Sequence, residues 1–279
     1  MEVHEMTNRS ATWAAAALCA ALLCASRVAA EPIEEVTITA TKRNQSLQDV
    51  SVSVSAIETE RLLDTQTDSL EDVQRIVPGL TVGNDFSFAK IFVRGIGLNS
   101  AFPGLDPSVA LHTDGAVVAQ AAGQFTSLFD VERLELLRGP QGSLYGRNAT
   151  GGSINLVTKK PTAEMDGYAR VTVGGRDLNL VTDAALGGPL VEERVLGRIA
   201  FHYQDRDGYG THTGSGNDID DAHVMAGRSH LSFLLGDNVE WLVSGEYYDE
   251  DDHSKALKFI APSFPNPPTP GLMASGLPN

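Results

Sequence analysis

The residues best equipped for chemistry form one run, Leu136-Leu-Arg-Gly-Pro-Gln-Gly-Ser-Leu-Tyr-Gly-Arg-Asn-Ala-Thr-Gly-Gly-Ser-Ile-Asn155. It holds five glycines and one proline. Glycine admits positive φ and close backbone approach, while proline fixes φ and removes a donor. A turn of this kind can cradle a phosphate through its N–H groups. That chemistry requires a Gly-Lys-Ser/Thr ending and a following helix. Here the next lysine is Lys159, and the pattern from Ile154 to Thr158 is that of a strand. The run therefore reads as a tightly folded loop between two β patterns, carried by Gly139, Pro140, Gly142, Tyr145, Gly146, Asn148, Gly151 and Gly152. Asn148-Ala149-Thr150 matches a glycosylation acceptor but reads as part of that loop.

Catalytic constellations are missing elsewhere. There is no G-x-S-x-G elbow and no H-E-x-x-H pair. The seven histidines are scattered, and His202, His223 and His230 fall inside strand patterns, where an inward, lumen-facing position accounts for them. Asp218, Asp220, Asp221 and the run Asp249 to His253 could hold Ca²⁺, although solvated loops account for them more simply. We therefore expect no catalytic residue, no metal site and no cofactor. The net charge of −15 argues against a nucleic-acid partner.

The first thirty residues have the layout of an export signal. Arg9 precedes an apolar stretch from Ala11 to Ala25, and Val28-Ala29-Ala30 supplies small residues before Glu31. The apolar stretch is shorter than the roughly 18 residues a membrane-spanning helix requires. Leu18 and Leu23 stand where lipidation at Cys19 or Cys24 would want a small residue. Both cysteines lie in this segment, so its removal leaves no thiol for disulfides, metal binding or nucleophilic catalysis.

Residues 31–49 read as an extended polar arm. Glu35, Val36, Thr37, Ile38, Thr39 and Ala40 form a short β-branched segment within it, suited to an edge strand or a disordered arm. Residues 50–160 read as one α+β domain. Val50 to Ile57 alternates as a half-buried strand, and a helical stretch follows at Glu58 to Leu63. A second helix is expected to start at Asp68 or Ser69, with Asp72 placed for a capping box and Leu70, Val73, Ile76 and Val77 on one face. Short strands are expected at Leu80 to Val82, Ile91 to Val93 and Val109 to Thr113, with a turn at Asp114-Gly115.

After Pro161 the pattern becomes strictly two-fold. Runs at about 167–174, 177–186, 194–204, 223–235 and 239–249 each set an apolar face against a polar one. Val195, Ile199, Phe201 and Tyr203, for example, oppose Arg198, His202 and Gln204. Strands of this length with one wet face suit a transmembrane β-barrel. Five such runs cannot close a barrel without leaving backbone groups unpaired in lipid, so residues 161–279 are expected to be the N-terminal portion of one.

Five segments resemble the TonB-dependent outer-membrane receptors in the order that family shows them. These are Glu35 to Ala40, Ser46 to Val54, Val77-Pro78-Gly79-Leu80, Phe92-Val93-Arg94-Gly95 and Arg138 to Asn155. The resemblance covers residues 35–160 and implies an α+β plug domain followed by antiparallel barrel strands. It implies a TonB box at Glu35 to Ala40, which would pair edge to edge with a strand of TonB. It also implies that Arg94 and Arg138 bridge the plug to carboxylates of the barrel wall; capping of surface turns is the alternative. Substrate contacts would come from plug apices, with Phe86, Phe88, Asn99 and Phe102 as candidates. Core packing of the same phenylalanines accounts for them equally. The implied function is energised uptake of a scarce nutrient, most commonly a ferric siderophore, by a monomer in outer-membrane lipid. A product acting only as a soluble periplasmic plug module is the competing reading.

Overall fold

The structure, a computed structural model, describes residues 37–38, 45–46, 50, 52–85, 88–98, 106–118, 124, 127–175, 178–211, 216–236 and 238–253. All of these but Thr37 fall in one compact unit that begins at Ile38.

Two short strands, β1 (Thr37–Ile38) and β2 (Gln45–Ser46), form a two-stranded sheet. The alternating stretch after them becomes β3 (Val54–Glu58), which runs into α1 (Thr59–Asp64). The helix α2 (Leu70–Val73) starts on the capping box expected there: Ser69 Oγ accepts from the Asp72 N–H, and Asp72 returns the bond to the Ser69 N–H. Regular helix lasts only one turn, because Pro78-Gly79 follows closely and Gly79 takes a φ of 81°. Even so, Leu70, Val73 and Val77 all point into the core.

The hairpin β4 (Leu80–Asp85) and β5 (Phe88–Val93) continues into β6 (Ile96–Gly97), making a three-stranded sheet. Beside it lies a mixed sheet of β3, β7 (Val109–Thr113), β8 (Ala116–Val117), β9 (Val131–Arg138) and β10 (Gly152–Thr158), in the order β3-β9-β10-β7-β8. β10 pairs parallel to β7 and antiparallel to β9. Leu134, Leu136, Ile154, Leu156, Val109 and Leu111 face the helices and the smaller sheet, forming the core with Ile57, Leu62 and Val93. That continuous apolar face is what holds this α+β unit together.

The second body is a meander of five strands: β11 (Asp166–Gly174), β12 (Asn179–Val191), β13 (Val195–Arg206), β16 (Ala222–Leu234) and β17 (Glu240–Glu250). The long β13–β16 connection carries a small ribbon of β14 (Gly210–Thr211) and β15 (Asp218–Ile219). Its polarity is inverted relative to a water-soluble sheet. Arg198, His202, Arg228 and His230 are buried, at 2–3% exposure, whereas Ile199 is 63% and Trp241 61% exposed. Val171, Val173, Phe201, Met225, Val243 and Tyr247 are exposed on the same outer face. A sheet that turns its apolar side outward and its ionic side inward is the wall of a membrane barrel.

Candidate functional site: the plug and its seat on the wall

The glycine-rich loop folds back on itself as its composition demands. The Gly139 N–H donates to Gly151 O at 3.1 Å and the Gln141 N–H to Ala149 O at 2.8 Å, closing the loop base. Inside that base a helical turn, α3 (Gly142–Tyr145), was not legible in the sequence, where glycine and proline obscure helical spacing. Gly139, Gly146 and Asn148 occupy positive φ, at 89°, 74° and 72°. Gly151 and Gly152 are needed for space: a Cβ at Gly152 would stand 2.4 Å from Leu137 O, and one at Gly151 2.8 Å from Ile96 O. Gly142 and Pro140 lie at the surface.

The loop lays Tyr145 on the polar face of the mixed sheet, its ring 4.7 Å from that of His112. Burial, helped by the nearby Glu135 carboxylate, pushes the Tyr145 hydroxyl up to about 12. Glu135 is fully buried and accepts from Arg133 Nε at 2.8 Å and from Asn155 Nδ2 at 3.0 Å. This polar network lies beneath the loop at Tyr145.

Arg94 and Arg138 come together around Ser53. Arg94 Nη2 donates to Ser53 Oγ at 3.2 Å, and the Arg138 N–H donates to Ser53 O at 3.0 Å. Burial, with the Arg94 charge adding to it, lowers the pKa of Arg138. Phe88 is half-buried at the start of β5. Phe86, Asn99 and Phe102 lie outside the described residues, as do Glu35, Val36, Thr39 and Ala40. Of the arm segment, Thr37 and Ile38 are seen as β1, and Ile38 is fully buried.

The plug meets the wall through residues that sequence reading did not single out as a site. Arg198 of β13 donates from Nη2 to Asp130 Oδ1 at 2.6 Å and from Nε to Asp130 Oδ2 at 2.7 Å. Its third nitrogen, Nη1, reaches both oxygens of Asp166 at 2.9 Å. Arg228 of β16 donates to Phe129 O at 3.0 Å, and Arg170 of β11 lies 3.9 Å from Asp68. Burial raises the pKa of Asp68. Further along, His230 Nε2 lies 3.0 Å from Thr158 Oγ1, whose hydroxyl donates to Asp114 at 2.6 Å. The only signal in the sequence was that Arg198, Arg228 and His230 share the polar rows of their strands.

Asp114 offers a pH test of this seat. Burial alone would raise its pKa, but hydrogen bonds from Lys160 and Thr158 outweigh burial and hold it below the ordinary 3.8. Its folded pKa is depressed, so the stabilisation is present above the unfolded value and is lost as pH falls through the folded one. Asp114→Asn is expected to flatten the acid limb of a stability profile below about pH 4, leaving its slope near neutrality unchanged. Unfolding midpoints measured across that range check it.

The acidic residues flagged as a Ca²⁺ candidate are taken up differently. Asp221 accepts from the His253 N–H and Nδ1, both at 2.6 Å, and lies 3.5 Å from His223 Nε2. Burial would raise the Asp221 pKa, but the His253 hydrogen bonds outweigh it and lower it, and the same contact raises that of His253. Among the described residues, no group of three or more His, Cys, Asp or Glu is arranged to hold a metal ion.

An α+β plug seated through a buried ion pair on the inner face of a polarity-inverted antiparallel sheet is the architecture of a plugged β-barrel. Residues 46–153 match the TonB-dependent receptor plug domain. The pesticin receptor of Yersinia pestis is 33% identical over 190 residues, which are 66% of this chain and 28% of the relative. The ferripyoverdine receptor of Pseudomonas aeruginosa is 31% identical over 230 residues, 81% of this chain and 26% of that one. The crystal structure of the ferric yersiniabactin uptake receptor of Yersinia pestis superposes with a TM-score of 0.65 at 29% identity, covering 70% of this chain and 31% of its own. The chain carries the plug domain of the TonB-dependent receptors, and it spans little more than a quarter of these curated relatives.

Proposed function

We propose that this chain is the plug-bearing part of an outer-membrane receptor for TonB-coupled active uptake of a ferric siderophore. The observation that carries the reading is the plug, docked by Asp130–Arg198 on a wall whose outer face is apolar. The agreement with a ferripyoverdine receptor over 81% of the chain supports the iron chelate as cargo.

In this account the first thirty residues direct export and are removed, and residues 31–49 form the periplasmic arm. An outer membrane has no ATP and no ion gradient, so uptake against a gradient needs mechanical coupling from the inner membrane. Glu35 to Ala40 supply an edge strand to TonB through main-chain hydrogen bonds, and a pull on it rearranges the plug of residues 50–160. Arg94 and Arg138 tie the plug to wall carboxylates and reset it afterwards. Phe86, Phe88, Asn99 and Phe102 present aromatic faces and an amide to the chelate at the outer apices. No cofactor takes part, and the receptor works as a monomer in lipid.

Deleting the gene is expected to slow growth under iron limitation and to abolish energised uptake of one labelled ferric chelate among a tested set. Unchanged growth and unchanged uptake of every ferric chelate would retire the iron reading. Recovery of the product in the soluble periplasmic fraction would favour the isolated plug module instead.

A further inference from the structure

The connector residues Phe129 and Asp130 enter a socket that strand register builds. Ala185 of β12 pairs with Ala200 of β13, and Ala226 of β16 pairs with His202 of β13. Three alanines on adjacent inward positions leave a hollow, and the Phe129 ring packs into it at 2% exposure. The His202 ring stacks on Phe129 with centroids 5.4 Å apart and an interplanar angle of 21°. The Arg228 guanidinium lies 4.4 Å from the Phe129 centroid. Asp130 then turns at a φ of 50°, a left-handed conformation that aspartate tolerates, and receives Arg198 in a two-bond fork. Both side chains of that pair are essentially fully buried.

The position of this socket matters for load. The arm leads into β3, an edge strand whose sheet partner is β9, through pairs from Val54–Leu137 to Glu58–Arg133. β9 begins at Val131, the residue after Asp130. A pull on the arm therefore passes through β3 to β9, and the socket holds β9 at its first residue.

We propose that the Phe129–Asp130 knob in its alanine-floored socket is a mechanical anchor that keeps the plug on the wall while the arm is pulled, so that the pore opens elsewhere on the plug's perimeter. The inference rests on the TonB-coupled reading above. Holding one side fixed lets a pulled plug return to its seat, and a loosened socket lets it leave and makes the pore leak.

The test places Ala200→Leu, which fills the hollow, and Asp130→Asn, which keeps volume and backbone conformation but weakens the fork, in the gene product of cells with and without TonB. Hydrogen exchange in isolated outer membranes reads the contact. Susceptibility to vancomycin, too large for an intact outer membrane, reads the leak. Exchange across residues 129–138 is expected to accelerate on the order of tenfold or more. Vancomycin sensitivity should rise several-fold in energised cells and stay unchanged without TonB. No change in exchange, or faster exchange with no leak in energised cells, overturns the anchor. Should a single variant fail to assemble, the size-swapped pair Phe129→Ala/Ala200→Phe carries the test, where restored assembly and protection support the socket and failure to restore them overturns it. A wild-type product absent from the outer-membrane fraction would instead sink the receptor reading, and exchange measured on the purified product would still judge the socket.

Discussion

Arg198→Met is expected to lower stability by about 3–5 kcal/mol, the largest loss for any single wall residue described here. Asp130 is fully buried and takes both of its side-chain hydrogen bonds from Arg198. Methionine fills much of the space but gives the carboxylate no donor, so a charge stays in a low-dielectric site without compensation. Asp166, the other partner, is 48% exposed and can turn to water, so it adds little to the loss. Arg198→Lys should recover only part, because an ammonium cannot span Asp130 and Asp166 with a planar fork. The shift in urea midpoint of the lipid-reconstituted protein, at constant slope, measures both.

Ile38→Pro is expected to reduce energised uptake to the level of cells lacking TonB, while ligand still binds at the surface. Proline removes the N–H a β1 edge strand must present and cannot sit within a paired strand. Ile38→Val keeps the β-branched side chain and the donor and should transport normally. Loss of binding together with uptake in the proline variant would show that folding, not coupling, had failed.

The distribution of what could be read in advance has a physical cause. Strand positions were legible because a two-residue period needs only neighbours in sequence to show itself. The run expected at 239–249 is seen at Glu240–Glu250, and that at 223–235 at Ala222–Leu234. The inward rows of Arg198, His202 and Gln204 and of Arg228 and His230 were legible too. His223, expected inward, instead pairs with Asp205 on the outer row and is 50% exposed, because strand alternation puts it in step with Met225 and not with His230. Which plug residue each row would meet was not. Arg198 and Asp130 stand 68 residues apart, and their meeting depends on the register of β13 against its neighbours and on how β9 lies over them. Asp130 sat in a connector with no periodicity to mark it. The parallel pairing of β7 with β10 was hidden for the same reason, as it joins segments separated by a hairpin, a long connector and β9.

The five-stranded sheet is a lipid-facing wall with a plug docked on its inner side. Trp241 reports on it directly: it lies on the outer face at 61% exposure, near the β16–β17 turn where aromatic residues mark the membrane interface. Trp13 lies in the export segment, so its removal leaves Trp241 as the one tryptophan of residues 31–279. Its fluorescence should then be quenched by lipids brominated near the headgroup, and hardly at all by aqueous iodide. Strong iodide quenching with no response to brominated lipid would mean that this face meets water, and the account of a plugged membrane receptor would be wrong.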